Sequence, residues 1–216
     1  MANQTETIVT TLFEWIDSGR LNPGDEIEEA ALVQQFGVSR TPVREALMQV
    51  EATGLVKRLP RKGAMVFKPT LAEFLAILEV HAKLEGQAAG LAARRISAAG
   101  LVALEAATAA CERHLATLGE TEGAAYYQLN IRFHGTVAEA SGNPFLVDLI
   151  KTNARKLMAY YRARYHYAGV IESSAREHRE ITRLIVARDS EGAEAAMRRH
   201  VHFDQVTAMD LLAALS

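Results

Sequence analysis

The segment from Phe36 to Leu47 reads FGVSRTPVREAL, and it restricts the fold more than any other part of this sequence. Gly37 can adopt a left-handed backbone at little cost, which lets one short helix end and a second begin at once. Thr41 is a good N-cap and Pro42 a good first helical residue, because the N–H that proline lacks has no partner there. The segment therefore predicts a helix–turn–helix.

The second helix of this pair should have one apolar side and one exposed side. Val43, Leu47 and Val50 recur at helical spacing and can pack inward. The residues left around its exposed N-terminal turn are Arg40, Thr41 and Arg44. This turn is the part of a recognition helix that meets base edges in the major groove, where arginine can bind guanine through two hydrogen bonds. The pattern predicts a DNA recognition helix.

The residues after this helix predict a β-hairpin with a basic tip, which beside a helix–turn–helix is called a wing. Its expected parts are an extended run within 54–59, a turn over 60–63 (PRKG) and a second strand over 64–67. Seven basic residues lie between positions 36 and 68: Arg40, Arg44, Lys57, Arg58, Arg61, Lys62 and Lys68. Only Glu45 and Glu51 oppose them there, so this part suits phosphate contact although the whole chain has 24 Lys+Arg against 26 Asp+Glu. A solvated charged hairpin beside an ordinary helical pair is the alternative.

Residues Ile8 to Pro69 resemble the winged-helix domain of GntR-family bacterial transcription regulators. The resemblance is carried by LNPG at 21–24, FGVSRTPVREAL at 36–47 and GLV at 54–56. It implies DNA contacts by two groups of residues: Ser39, Arg40, Thr41 and Arg44 at bases or phosphates, and Arg61, Lys62 and Gly63 placing the wing tip at the minor groove. Glu45 is expected to orient a neighbouring arginine rather than to contact DNA.

Length and composition limit the remaining possibilities. The 216 residues fit one small and one medium domain, and a hydrophobic content of 49% is ample for a packed core. The single cysteine, Cys111, cannot form an intrachain disulfide, and the N-terminus has no signal pattern, so a reducing cytoplasm is expected. No apolar run reaches membrane-spanning length.

Helical periodicity dominates the sequence after residue 70. Breaks are expected at 96–97, 119–121, 141–144, 168–169 and 188–190, which mark about six helices. At one break, Gly142 suits the C′ position of a helix, Asn143 an N-cap and Pro144 a first helical turn. The predicted fold is mainly α, with a winged helix–turn–helix at 1–68, a linker at 69–71 and an all-α helical bundle at 72–216.

Three histidines of this second part stand where apolar residues would be expected: His134, His178 and His200. Asn130 precedes His134 by four residues, so both project to one side of their helix. Buried neutral imidazoles need partners for both nitrogens, and three that converge in a bundle core form a natural site for a divalent metal. Spacing alone leaves open the alternative of separate core histidines, each with its own hydrogen-bond partners.

Residues Leu71 to Leu211 resemble the helical FCD effector domain of the FadR branch of the GntR family, in its shorter VanR-like form. Many FCD domains hold a metal through an Asp, a His four residues later, and two His on the last two helices. His134, His178 and His200 match the histidine positions, and Asn130 stands where the Asp is expected. The resemblance implies a divalent transition metal, zinc or nickel, bound by these four residues.

The asparagine at position 130 changes the expected charge of this site. An amide oxygen is a weaker, uncharged ligand, so net positive charge would remain at the metal and favour an anionic effector, whose carboxylate takes the open coordination positions. The same substitution could instead mean weak retention of the metal.

His81 is a second departure, because family members commonly carry an arginine there that grips an acidic effector. His81 and Glu85 lie one turn apart and face inward, so His81 would be a weaker, pH-dependent anchor. A core histidine hydrogen-bonded to Glu85 is the alternative. Arg132 and Arg155 are further candidates for binding the effector carboxylate, and a solvated helix face explains them equally well.

The sequence therefore predicts a cytoplasmic, homodimeric transcription regulator that is not an enzyme. Each winged helix would read one half of a pseudo-palindromic double-stranded DNA operator, and the helical part would bind a small organic acid; the family implies repression that the effector relieves. Two alternatives remain. Three histidines with an open position also describe a hydrolytic zinc site, although no H-E-x-x-H spacing occurs. Asn130 and His81 also allow a structural DNA-binding dimer without an effector.

Overall fold

A computed structural model describes residues 3–60 and 62–202. The chain divides into two compact units, Met1–Thr70 and Leu71–Ser216. Within the described residues, the first unit combines helices with a small sheet, and the second contains helices.

The first unit is a winged helix–turn–helix, as predicted. Its elements are α1 (Gln4–Ser18), β1 (Glu26–Glu28), α2 (Glu29–Phe36), α3 (Arg40–Ala52), β2 (Val56–Leu59) and β3 (Gly63–Val66). β3 lies between β1 and β2 and pairs with both in antiparallel register. The core comes mainly from the apolar sides of α1 and α3, which bury Ile8, Leu12, Ile16, Val43, Leu47 and Val50.

The turn between α2 and α3 depends on Gly37, which has a left-handed backbone at φ 62 and donates its N–H to the carbonyl of Val33. The predicted start of α3 was wrong by two residues: Ser39 is the N-cap and Arg40 the first helical residue. Thr41 and Pro42 are accommodated inside the first turn because N–H groups there have no acceptor within the helix.

The sheet contains a strand that the sequence did not predict. In β1, the side chain of Ile27 is buried between two exposed glutamates, and Glu28 is paired with Gly63. Gly63 has φ 143, and a Cβ there would collide with the main-chain oxygen of Ile27. Gly63 is buried against β1 because the close strand pairing requires a residue without a side chain, and its expected part in placing the wing tip on DNA stays a prediction.

The second unit has six helices within residues 71–202, the number predicted. They are α4 (Leu71–Arg95), α5 (Ala98–Leu118), α6 (Gly123–Ala140), α7 (Pro144–Arg164), α8 (Val170–Val186) and α9 (Ser190–Val201). Leu71, which the sequence placed in the linker, begins α4. The predicted start of α7 is confirmed, because the side chain of Asn143 accepts a hydrogen bond from the N–H of Leu146 and Pro144 is in the first turn.

The long helix α4 provides one wall of this bundle. Its buried face contains Phe74 and Leu78, and it also contains His81 and Glu85, two polar side chains. In the second half of α4, Gly86 and Gly90 lie directly under α9: a Cβ at Gly86 would overlap the side chain of Arg198, and one at Gly90 would lie 3.2 Å from the main-chain oxygen of Ser190. These two glycines therefore let α9 approach the backbone of α4 closely.

Candidate functional site

The three predicted metal-binding histidines converge in the second unit. The Nε2 atom of His200 lies 3.0 Å from Nε2 of His178 and 3.2 Å from Nε2 of His134. Their ring nitrogens offer three ligand atoms, all within 4.8 Å of one another. Two imidazole nitrogens bound to one zinc ion at a tetrahedral angle lie about 3.3 Å apart, so the observed spacing is close to that of a ligand set.

Two carboxylates contact the outer nitrogens of these rings. Glu177 Oε2 is hydrogen-bonded to Nδ1 of His200 at 2.7 Å, whereas Glu85 Oε2 lies 3.3 Å from Nδ1 of His134 without the geometry of a hydrogen bond. A carboxylate at Nδ1 favours a proton on that nitrogen and leaves the lone pair on Nε2. The acids therefore favour the ring form in which Nε2 can bind a metal.

The remaining ring, His178, is fixed by stacking. Phe133 lies parallel to it, with ring centroids 3.9 Å apart and planes inclined by 18°. Burial holds the pKa of His178 well below its usual value, and the neighbouring His200 and His134 lower it further. Burial also lowers the pKa of His200 to about 4, although Glu177 opposes this shift. Both rings are therefore neutral near pH 7 and can act as ligands.

Asn130 provides the test of whether a metal fits these residues. Its side chain is buried, and its Oδ1 atom has no hydrogen-bond partner within the described chain. A buried amide oxygen without a partner is costly, so its presence one turn before His134 needs an explanation. An amide oxygen beside three imidazoles is a suitable donor set for a divalent transition metal. Asn130 and the three histidines therefore suit a divalent transition metal.

The net positive charge expected at this site took account of the four ligands alone, and the structure adds two carboxylates beside them. Burial raises the pKa of the Glu85 carboxyl, but the neighbouring His134 and His81 lower it by more, and the net direction is downward. Burial likewise raises the pKa of Glu177, and its hydrogen bond to His200 outweighs that effect. Both carboxylates are therefore ionised near pH 7, and together they would match the charge of a divalent ion.

A cavity of about 110 Å³ lies beside the histidines. Its polar wall includes His81, Glu85, Asn130 and His134, and its other walls are formed by Tyr127, Ile131, Gly135, Ala138, Ile150, Lys151, Ala154 and Tyr161. The cavity thus combines part of the metal-binding group with a mainly apolar surround, an arrangement typical of small-molecule sites.

The residues expected to bind an effector are only partly brought to this cavity. Burial lowers the pKa of His81 to about 4, so His81 is neutral near pH 7 and cannot serve as a charged anchor. Its Nε2 lies 3.6 Å from Glu85 Oε1, too far for the alternative hydrogen bond. Arg132 and Arg155 are not in the cavity lining, which instead contains Lys151, a cation that no sequence pattern indicated.

The DNA-binding residues expected on α3 share one exposed surface of the first unit. Ser39, Arg40, Thr41 and Arg44 are all exposed at the start of α3, and Lys62 is exposed at the tip of the wing. Arg61 lies outside the described residues.

Acidic residues also reach this surface. Glu26, Glu28 and Glu29 line the same concavity as Arg40, Arg44 and Lys62. The residue expected to orient an arginine, Glu45, instead accepts a hydrogen bond from the hydroxyl of Thr5 at 3.0 Å. Glu29 contacts Arg44, with 3.0 Å between Oε2 and Nε. The sequence window that began at residue 36 missed this carboxylate because it precedes the turn.

Comparison with known families agrees with both units. Residues 4–66 match the family model described as bacterial regulatory proteins, gntR family, and residues 76–203 match the FCD domain. The chain belongs to the GntR family. FCD domains are often metal-binding, and the cluster of three histidines lies within the matched FCD region.

Curated relatives of this GntR protein are named as transcriptional regulators. The uncharacterized HTH-type regulator YdhC of Bacillus subtilis (strain 168) is 30% identical over 195 residues, covering 89% of this chain and 85% of YdhC. LutR of the same organism is 28% identical over 207 residues, covering 86% of this chain and 92% of LutR. These matches identify a DNA-binding transcription regulator and not an enzyme, so the hydrolase alternative is not supported.

Solved structures agree on the fold of this GntR chain. E. coli McbR/YncC superposes with a TM-score of 0.79 at 19% identity, covering 100% of both chains. A GntR regulator from Rhodococcus sp. RHA1 has a TM-score of 0.74 at 18% identity, covering 97% of this chain and 98% of the other. None of the helices described is both long and apolar enough to span a membrane.

Proposed function

We propose that this GntR regulator is a cytoplasmic homodimeric repressor, and that a small carboxylate metabolite lowers its operator affinity by binding beside a metal ion in the helical unit. The convergence of three Nε2 atoms, one of them on a histidine that lines a cavity, carries this proposal. Two E. coli relatives, GlaR and RspR, are named transcriptional repressors, which favours repression as the sign of regulation.

The metal would be held by Asn130, His134, His178 and His200, with zinc or nickel preferred by imidazole ligands. When bound, the ion would supply a Lewis acid to which an oxygen of the effector can bind. Glu177 orients the ring of His200 by a hydrogen bond, and Glu85 lies close enough to do the same for His134 when its geometry tightens on metal binding.

The effector would occupy the cavity of about 110 Å³, which restricts it to a small molecule. Because the two outer carboxylates already balance a divalent ion, the cation that adds attraction for an anion would be Lys151, whose Nζ lies 3.8 Å from Glu139 Oε1. Lys151 lines the cavity, and its side chain is 51% exposed. Apolar residues such as Ile131, Ile150 and Ala154 would contact the carbon skeleton.

DNA would be read by the exposed start of α3, with Arg40 and Arg44 at base edges and Ser39 and Thr41 at bases or phosphates. Lys62 and Arg61 would contact the backbone or minor groove from the wing. Two winged helices related by a twofold axis require a pseudo-palindromic operator. An effector needs to favour a dimer geometry that fits this operator poorly, and a coupling free energy of about 1–3 kcal/mol is typical of such regulation.

The first experiment is elemental analysis of the purified protein, of His178→Ala, and of His166→Ala as a matched control. His166 is exposed and outside the histidine cluster. We expect about one transition metal per chain in the wild type and the control, and none in His178→Ala. Metal-free wild-type protein after reconstitution, or full metal retention in His178→Ala, would contradict the ligand assignment.

The effector is tested separately by thermal shift against a panel of short-chain carboxylates, with metal-loaded and metal-free protein. A stabilising acid should also lower operator affinity in a fluorescence anisotropy titration, and Lys151→Ala should weaken its effect. If no acid stabilises either form, the protein is a DNA-binding dimer without an effector, and this part of the proposal fails.

A further inference from the structure

Glu29 connects the recognition helix with the wing. It is the first residue of α2, and its side chain is only 16% exposed. Oε2 accepts from Nε of Arg44 at 3.0 Å, and Oε1 accepts from Nη2 of Arg58 at 2.8 Å. Both oxygens are thus used, one for an arginine of α3 and one for an arginine of β2.

Arg58 closes this arrangement into a triangle. Its Nη1 donates to the main-chain oxygen of Arg44 at 3.3 Å, and its main-chain N–H donates to Glu51 Oε1 at 3.0 Å. Glu29, Arg44 and Arg58 therefore hold one another through both side-chain and main-chain groups. The position of the Arg44 guanidinium is fixed relative to α2 and β2, as well as to its own helix.

Stability explains the Glu29–Arg58 side of this triangle, whose side chains are 16% and 27% exposed, but not the Glu29–Arg44 side. The Arg44 side chain is 55% exposed, and ion pairs at such positions contribute little to the free energy of folding because solvent screens them. A carboxylate on this surface also repels phosphates and lowers general affinity for DNA. The Glu29–Arg44 contact, which weakens general binding to DNA without much gain in stability, therefore needs another benefit.

The hydrogen bonding of Arg44 indicates that benefit. A guanidinium can bind guanine through two donors, and an arginine that is already oriented loses less freedom when it does so. The Nε of Arg44 donates to Glu29. Within residues 3–60 and 62–202, neither Nη1 nor Nη2 of Arg44 forms a hydrogen bond or ion pair. The outer edge of the guanidinium, which carries two parallel donors, is left available on the exposed surface.

We infer that Glu29 is a positioning residue for DNA specificity: it orients Arg44 so that the Nη1/Nη2 edge meets one base pair, and it keeps the wing in register with that contact through Arg58. This inference rests on the proposed role of Arg44 in reading DNA. Glu29 acts through Arg44 and does not itself contact a base.

The test begins with an operator selected by the wild-type protein from a random double-stranded DNA library. Binding to this operator, to its single-base-pair variants and to an unrelated duplex is measured for the wild type and for Glu29→Gln. Glu28→Gln is the matched control, because Glu28 is an exposed carboxylate in the same concavity and its replacement removes the same charge. Circular dichroism melting checks that each variant is folded.

We expect Glu29→Gln to reduce the preference for the operator over the unrelated duplex by about 5- to 100-fold, the range typical of losing one well-placed arginine–guanine contact. The lost discrimination should fall at one base pair in each half-site. Glu28→Gln should raise affinity for both duplexes by a similar factor. Glu29→Asp, which keeps the charge but has a shorter reach, should behave like Glu29→Gln.

A double-mutant cycle with Arg44→Ala distinguishes positioning from direct contact. In the Arg44→Ala background, Glu29→Gln should have no further effect on operator preference. A persistent effect would mean that Glu29 contacts DNA itself, which would overturn the inference. If Arg44→Ala alone leaves operator preference unchanged, the proposed DNA-reading role fails; if only Glu29→Gln is silent, the positioning inference fails alone.

Discussion

Replacing Glu177 by glutamine should weaken metal binding without removing any ligand. The Glu177 carboxylate lies 2.7 Å from Nδ1 of His200, the ring whose Nε2 faces both other histidines. Loss of such an outer carboxylate typically lowers metal affinity about 10- to 100-fold, or about 1.4–2.8 kcal/mol. Glutamine keeps the shape of the side chain, so the effect isolates the charge and the orientation of the proton on Nδ1.

Competition against a chromophoric chelator measures this difference directly. Thermal denaturation gives an independent value: at a free metal concentration 100 times the wild-type Kd, binding stabilises the folded protein by about 2.7 kcal/mol, and a tenfold weaker site reduces this to about 1.4 kcal/mol. Glu180→Gln is the control, because Glu180 lies on the same helix and pairs only loosely with Arg199, at 3.9 Å. An unchanged Kd in Glu177→Gln, or an equal loss in Glu180→Gln, would refute the reasoning.

Four further outcomes are expected. Arg40→Ala should lose about 1–3 kcal/mol of operator binding in an anisotropy titration if it reads a base, and unchanged affinity would refute that role. Gly63→Ala should lower the free energy of unfolding by about 1–3 kcal/mol in urea melts, because the backbone φ of 143 is strained for alanine and a Cβ would meet the Ile27 carbonyl. An unchanged free energy of unfolding would contradict the strand packing. Cys111 should resist alkylation at pH 8 until the protein unfolds, because it is buried and burial raises its pKa to about 11; rapid native labelling would contradict this. Burial lowers the pKa of His81 from 6.5 to about 4 in the folded state, so the unfolded state binds the proton more readily and stability should fall as pH decreases from 6.5 toward 4. Urea melts of metal-free protein should show a smaller loss over that range for His81→Leu, and equal pH dependence of the two proteins would contradict the assignment.

The parts of the fold that the sequence predicted are those encoded by a few adjacent residues. Gly37 marks the turn by its own conformational freedom. Asn143 and Pro144 mark a helix start, because the Asn143 side chain accepts a hydrogen bond from the first turn and Pro144 lacks an N–H that would have no partner there. The strand β1 was missed because a three-residue strand has no periodicity of its own and forms only by pairing with β3. The start of α3 was misplaced because Ser39 and Thr41 are both acceptable N-caps, and packing decides between them.

The histidine cluster was predictable from the sequence, but its surroundings were not. Resemblance and helical spacing indicated His134, His178 and His200, because each position follows from its own helix. Glu85 acts on His134 from another helix, so no local pattern relates the two. Glu177 was visible beside His178, yet its contact is with His200 on α9. Contacts between helices depend on the packing of the bundle, which the sequence does not display.

The glycines of α4 have a consequence for the histidine that α9 carries. Because Gly86 and Gly90 carry no side chain, α9 lies close to the backbone of α4, with Arg198 and Glu194 of α9 directly over the two glycines. His200 follows Arg198 by two residues, so its depth in the bundle depends on this close approach. A methyl group added at Gly86 would force the Arg198 side chain to move and would press on the main-chain oxygen of Glu194, 3.0 Å away. A shift of α9 in response would move the His200 imidazole relative to its two neighbours, although nothing in the chemistry of the metal ligands had been changed.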